Sequence, residues 1–189
     1  MFATIGLMTA GGGAVRALES DAAKAHVQAS VDDVMAIVRS SEDTDAKAKA
    51  LEAVMEDRAA MPQIARFSAG LAWRDMTDDQ KERFTKAFSH MISVVYARRF
   101  QTYSGETVTL GDVDDGGRRG LIVSSLVSQT SGAPIAVDWL VSDRPGRTVI
   151  ADIIIENVSM LLTQRDEIAG MLKNNNGDID ALIDQLEAI

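Results

Sequence analysis

Residues 105–157 read GETVTLGDVDDGGRRGLIVSSLVSQTSGAPIAVDWLVSDRPGRTVIADIIIEN, and this stretch decides the fold class. Apolar residues recur in it at every second position, which is the period of a β-strand with one buried face. Turn sequences rich in glycine divide the stretch into runs over 107–110, 120–129, 135–141 and 149–156. Because connections this short join antiparallel neighbours, the sequence predicts a four-stranded antiparallel meander.

Helical periodicity flanks this meander on both sides. Apolar residues in 19–102 recur at three- and four-residue steps, which is the spacing of amphipathic helices. Thr77 and Gln80 have the spacing of a capping box, which predicts that the longest helix begins there and runs to Gln101. Residues 158–189 predict two further helices separated by an asparagine-rich break. Helices, strands and helices in this order indicate an α+β fold.

A third helix is predicted to begin near Pro62, because proline is well tolerated in a first helical turn. Its apolar positions are Ile64, Phe67, Leu71 and Trp73. We therefore expect one helix to carry all four side chains.

The composition excludes several classes of function. Of the 189 residues, 46% are hydrophobic and 25% are charged, which suits a single globular domain over 18–189. The formal net charge is −9, and an acidic chain without a basic run argues against nucleic-acid binding. The absence of cysteine rules out disulfides, cysteine-ligated metal centres and thiol nucleophiles. His26 and His90 have no metal-ligand spacing, and we expect His90 on the surface.

Residues 1–17 differ from the rest of the chain. The segment 1–15 is uncharged and apolar, and it is too short and too rich in glycine to span a membrane. Val15 and Ala17 offer small side chains at the positions that a signal peptidase reads. We expect a signal-peptide remnant here. A floppy N-terminal extension is the alternative, because no basic stretch precedes the apolar segment.

Acidic side chains occupy one face of the predicted sheet. Strand parity places Asp138, Asp152 and Glu156 opposite Val137 and Trp139. One interpretation is a small cup-fold enzyme that uses Asp138 or Asp152 as general acid or base. The other is a solvated or helix-capping face, which we favour because the acids point away from the apolar face.

Two apolar surfaces form the candidate binding site. The long helix carries one and the last two strands carry the other, and we expect them to face each other, with Tyr103 nearer the mouth. The residues of this site are Phe84, Phe88, Met91, Ile92, Val95, Tyr103, Val137, Trp139, Ile153 and Ile155. Periodicity alone leaves open the alternative that these side chains fill a solid core.

Two blocks of the sequence carry a family resemblance. Residues 61–104 read MPQIARFSAGLAWRDMTDDQKERFTKAFSHMISVVYARRFQTYS, and residues 134–159 contain PIAVDW followed by DIIIENVS. Both blocks closely resemble the MlaC family, periplasmic phospholipid-binding proteins also called toluene-tolerance auxiliary components of an ABC transporter. The resemblance extends over residues 20–189. Asn157 stands where the family has glycine.

The resemblance implies both a fold and a function. The family fold is a curved four-stranded sheet wrapped by helices, similar to the cup of nuclear transport factor and ketosteroid isomerase. The family ferries phospholipid through the periplasm between an outer-membrane lipoprotein complex and an inner-membrane ABC transporter complex, which maintains outer-membrane lipid asymmetry.

For this chain, the resemblance implies a lipid carrier rather than an enzyme, with no metal and no cofactor beyond its phospholipid cargo. The two membrane complexes are the implied protein partners, and nucleic acid is not among the partners. A carrier of hopanoid-type lipid, the cup-fold enzyme and a lipid-free interaction module are the alternatives.

Overall fold

The computed structural model describes residues 18–103, 105–144 and 146–189, which form seven α-helices and five β-strands. The predicted signal-peptide remnant lies outside these residues. In chain order the elements are α1 (Ser20–Arg39), α2 (Thr44–Arg58), α3 (Met61–Ala69), α4 (Ala72–Asp75), α5 (Asp78–Arg99), β1 (Thr107–Asp115), β2 (Leu121–Ser128), β3 (Ile135–Arg144), β4 (Arg147–Ile155), β5 (Val158–Ser159), α6 (Met160–Asn174) and α7 (Ile179–Glu187).

The strands form one antiparallel sheet in the order β1-β2-β3-β4-β5. The α+β class and the antiparallel meander are confirmed, but the sheet has five strands rather than the predicted four. The extra strand, β5, has two residues and pairs with the end of β4. Glu156 and Asn157 form the turn between them, with φ of 47° and 66°. Positive φ at both positions is typical of a type I′ hairpin, and asparagine tolerates it nearly as well as glycine.

The two edges of the sheet differ. The register shifts between Leu110 and Val113 on β1, where Lys24 of α1 donates a hydrogen bond to the Gly111 carbonyl at 2.8 Å. On β4, the chain between α2 and α3 lies alongside the strand, and the Ala60 N–H donates to the Ile150 carbonyl at 2.9 Å. The chain between α2 and α3 therefore covers β4 at Ile150, outside the part of β4 that pairs with β5.

The helix ends follow the sequence signals closely. The Gln80 N–H donates to Thr77 Oγ1 at 3.2 Å, and the Thr77 N–H donates to Gln80 Oε1 at 3.0 Å. These two bonds confirm the predicted capping box, which satisfies donors that have no partner inside the helix. Pro62 lies in the first turn of α3, as expected.

The predicted third helix is divided into α3 and α4. Gly70 lies between them with φ 60°, a left-handed value that ends an α-helix. Leu71 follows the break and is 72% exposed, so its expected place on the apolar side of one helix is wrong. Ile64 and Trp73 do pack against the core of the protein.

Most of the buried apolar side chains among the described residues belong to three clusters. The helical core joins α3, α4, α5, α6 and α7, and its largest members include Phe84, Phe88, Ile168, Leu182 and Ile183. The α1–sheet core joins Ala23, Val27 and Val31 of α1 to Val123 and Val141 of the sheet. The α2–α5 core contains Ala48, Leu51, Val94 and Ala97. None of the described helices is both long enough and apolar enough to cross a membrane.

Candidate functional site

The neighbouring strands β3 and β4 bring four predicted site residues together. Their register pairs Val137 with Ile155 and Trp139 with Ile153, so all four share one face of the sheet. The Trp139 indole N–H donates to Ser125 Oγ at 2.9 Å, and the Ser125 hydroxyl donates to the Val137 carbonyl at 2.7 Å. These bonds allow the indole to pack against the α1–sheet core with its polar atom satisfied. Ile153 and Ile155 are partly buried.

The helix α5 carries the other predicted apolar stripe and buries most of it in the helical core. Phe84 and Phe88 are 0% exposed, and their stacked rings have centroids 5.9 Å apart. A side chain without accessible surface adjoins no space that even a water molecule could fill. In this structure both phenylalanines are therefore core side chains, and neither lines an open pocket.

Within the described residues, the two predicted surfaces pack mainly against different helices. The helix α1 lies over the sheet face that carries Trp139, whereas α5 packs against α2, α3 and α7. Neither of the two grooves described below lies between α5 and the sheet, and the expected pocket there stays a prediction. A role in ligand contact stays a prediction for both sets.

An open groove of about 440 Å³ lies instead between α5 and α6. Its apolar lining consists of Met91, Ile92, Val95, Tyr96, Met171 and Ile189. Its remaining lining consists of Arg99, Gln164, Glu167, Gly170 and Asn174. Three of the predicted site residues thus line an open space, although the wall opposite them is a helix rather than the sheet. The sequence analysis missed Met171 and Ile189, because periodicity shows that a helix face is apolar but does not show which element packs against that face.

Two polar groups of the α5–α6 groove are shielded from water. The Oε1 atom of Gln164 is buried and accepts no hydrogen bond within the described part of the chain. Burial raises the pKa of the Tyr96 phenol; the positive charge of Arg99 opposes this shift and the negative charge of Glu167 adds to it. The guanidinium of Arg99 lies 5.4 Å from the centroid of the Tyr96 ring. The groove therefore combines an apolar wall with one unsatisfied acceptor.

Tyr103 lies at the end of α1 and outside this groove. The Arg39 guanidinium donates to the Tyr103 hydroxyl at 3.2 Å, and that hydroxyl donates to the Glu106 carbonyl at 3.1 Å. Tyr103 therefore ties α1 to the start of β1, and its expected position near a binding-site mouth stays a prediction.

Two of the three acidic residues singled out on the sheet, Asp152 and Glu156, accept hydrogen bonds. Asp152 is buried, and its carboxylate accepts hydrogen bonds from the Ser159 hydroxyl at 2.6 Å and from the Leu161 N–H at 3.0 Å. Glu156 Oε1 accepts from the Ala136 N–H at 2.6 Å. The helix-capping interpretation is confirmed for Asp152, whose two oxygens are both engaged at the start of α6.

The structure places His90 at the surface and shows no cluster of metal ligands among the described residues. The His90 side chain is 46% exposed and lies 3.3 Å from a carboxylate oxygen of Glu52, which confirms its expected surface position. Within residues 18–103, 105–144 and 146–189, no three His, Asp or Glu side chains are placed to hold one metal ion.

Together, the antiparallel sheet, the surrounding helices and the apolar groove define an α+β protein with room for an apolar ligand. The sequence model of the MlaC protein family matches residues 28–188. This match covers most of the chain, which therefore belongs to the MlaC family, as the two sequence blocks indicated.

Proteins similar to the chain include a curated relative and a protein of solved structure. Toluene tolerance protein ttg2D of Pseudomonas putida is 25% identical over 113 residues, which are 59% of this chain and 52% of that protein. The chain thus spans about half the length of this curated relative. A phospholipid-binding protein from Ralstonia solanacearum, solved in complex with a phospholipid, superposes with a TM-score of 0.72 over 88% of this chain and 95% of that one. At 22% identity, this likeness establishes the shared fold.

Proposed function

We propose that this protein is a periplasmic lipid carrier, which binds phospholipid acyl chains and shuttles them between the outer membrane and an inner-membrane ABC transporter. The observation that carries the proposal is the α5–α6 groove, whose apolar wall is formed by Met91, Ile92, Val95, Tyr96, Met171 and Ile189. Membership of the MlaC family and the fold shared with a phospholipid-binding protein support the same conclusion.

The energetics explain why a carrier needs such a wall. Exposure of an acyl chain to water costs roughly 0.8 kcal/mol per CH₂, or on the order of 12 kcal/mol for sixteen carbons. Methionine suits this task, because its flexible, polarizable side chain adapts to chains of different shape.

The groove in this state is small for a whole phospholipid. Its volume of about 440 Å³ lies near the lower end of the range for drug-sized ligands, which is about 300–1,000 Å³. The wall formed by α6 is the weaker one, because α6 fully buries only Ile168 whereas α5 buries nine residues. We therefore infer that α6 moves away from α5 to admit a second acyl chain.

Lipid content tests this function directly. Protein purified natively from a bacterial host should yield phospholipid on organic extraction and should carry it in native mass spectrometry. A Cβ added at Gly170 points into open space on the groove lining, so Gly170→Trp should block the groove and remove most of the lipid. Its matched control is Ala169→Trp on the exposed neighbouring position of α6, which should keep the lipid.

Two outcomes would count against the proposal. Equal lipid content in Gly170→Trp and wild type would remove the α5–α6 groove from the site. A lipid-free wild-type protein that turns over a small carbonyl or ester substrate, and loses that activity in Asp138→Asn, would support the enzyme alternative.

The location is tested by fractionation, in which a tagged full-length chain should appear in the periplasm.

A further inference from the structure

A second groove, of about 410 Å³, lies between α3 and the sheet. Its apolar lining includes Ile64 and Phe67 of α3 and Leu140 of β3. This groove opens on the sheet face opposite α1, because Leu140 and Trp139 are adjacent in a strand and point to opposite faces. It shares no lining residue with the α5–α6 groove.

Three arginines also line this second groove. Arg118 and Arg119 come from the turn between β1 and β2, and Arg144 comes from the end of β3. No hydrogen bond or ion pair reaches their guanidinium groups within the described residues, although Asp143 also lines the groove. The chain has 28 acidic residues, so three convergent arginines without a carboxylate partner form a local positive site on an acidic protein.

The turn that carries Arg118 and Arg119 is built to a fixed shape. Gly120 has φ 128°, and a Cβ at this position would overlap the Val141 carbonyl oxygen of β3. The Gly116 N–H donates to the Gly120 carbonyl at 2.9 Å, and the Ser142 hydroxyl donates to the Arg119 carbonyl at 3.0 Å. These contacts hold the backbone of the turn against β3, the strand that ends at Arg144.

We propose that this arginine groove binds an anionic single-chain amphiphile, with its carboxylate or phosphate at the arginines and its apolar stem against Ile64, Phe67 and Leu140. Guanidinium groups match these anions in geometry and form charge-assisted hydrogen bonds with them. The volume of the groove suits one small ligand. An inorganic anion would gain nothing from the apolar lining, whereas an amphiphile would bury its stem there. A fatty acid and a lysophospholipid share the required chemistry.

Calorimetric titration of delipidated full-length protein tests the site. Laurate and dodecyl phosphate are the anionic probes, monolaurin is the uncharged probe of equal chain length, and inorganic phosphate is the probe without a stem. We expect laurate or dodecyl phosphate to bind at least about tenfold more tightly than monolaurin and inorganic phosphate, and the tighter of the two identifies the headgroup. The double variant Arg119→Gln/Arg144→Gln should raise the Kd of that probe about tenfold, whereas Arg74→Gln, an exposed arginine of α4, should leave it unchanged.

Three results would overturn the proposal: equal affinity in the double variant, equal affinity for monolaurin, or equal affinity for inorganic phosphate alone. Loss of binding in Gly170→Trp would also overturn it, because the probe would then occupy the α5–α6 groove. The proposed lipid-carrier function is judged separately, by the phospholipid that copurifies with the protein, so either hypothesis can fail without the other.

Discussion

The Ser159 hydroxyl donates to Asp152 Oδ2 at 2.6 Å, which joins the last long strand to the first turn of α6. The other oxygen of the same carboxylate accepts from the Leu161 N–H, and the Ser159 hydroxyl oxygen accepts from the Leu162 N–H at 3.1 Å. One buried acid therefore sets where α6 begins and how it leaves the sheet. The position of α6 matters because α6 forms one wall of the α5–α6 groove.

Asp152→Ala should lower the free energy of unfolding by about 1–3 kcal/mol, because it leaves donors at the start of α6 without their acceptor. Urea denaturation measures this loss. The control is Asp138→Ala, which should cost less, because Asp138 lies on the same sheet face and caps no helix within the described residues. Equal losses in the two variants would show that the contact with α6 is not what makes Asp152 important.

Gly120→Ala should destabilise the protein far more than Gly132→Ala. Both glycines have positive φ, 128° and 102°, but only a Cβ at Gly120 meets backbone, the Val141 carbonyl. We expect a loss of about 1–2 kcal/mol for Gly132→Ala from conformation alone, and of about 3 kcal/mol or more for Gly120→Ala. Thermal or urea unfolding separates the two, and similar losses would mean that the turn can move away from β3.

Asn157→Gly should be nearly neutral, whereas Asn157→Val should cost about 1–2 kcal/mol. The φ of 66° at this position suits glycine and asparagine but not a β-branched side chain. Urea denaturation of the three proteins checks the order. A well-tolerated valine would show that the β4–β5 turn does not require a left-handed residue.

Tyrosine ionisation should reveal the burial of Tyr96. The chain has two tyrosines, so the ultraviolet absorbance of Tyr103→Phe follows the Tyr96 phenol alone. Its pKa should lie above the ordinary value of about 10, because burial disfavours the phenolate. Since the folded pKa is raised, the associated stability is present below about pH 10 and is lost as the pH rises through the folded pKa. Tyr96→Phe should remove this alkaline loss, and an ordinary midpoint for Tyr96 would contradict the burial.

Local signals in the sequence were sufficient for much of the fold. Thr77 and Gln80 predicted the start of α5 correctly, because a capping box depends only on four consecutive residues. The alternation in residues 135–141 and 149–156 located β3 and β4. The strand β5 was missed because two residues are too short for any periodicity. Leu71 was misplaced because apolar spacing ignores the break that Gly70 introduces.

The candidate site was harder to predict, because it depends on which elements meet. The stripe on α5 identified buried residues correctly, yet an apolar face attracts any other apolar face, and the partners of α5 are helices. Met91, Ile92 and Val95 line an open groove together with residues of α6, a relation between two helices that no spacing rule describes. The three arginines of the second groove come from two separate turns, so a search for basic runs had no means of finding them.

The strand β1 forms an open edge of the sheet within the described residues, and its irregularity has a consequence for behaviour at high concentration. A strand from a second molecule would have to displace the bond from Lys24 to Gly111 and follow a register that shifts after Leu110. It would also bring its own charges against the aspartates that follow the shift, Asp114 and Asp115. Edge lysines, bulges and acidic side chains are the devices that discourage strand addition between molecules. We therefore expect copies of this protein to stay separate in a crowded compartment instead of stacking into fibres.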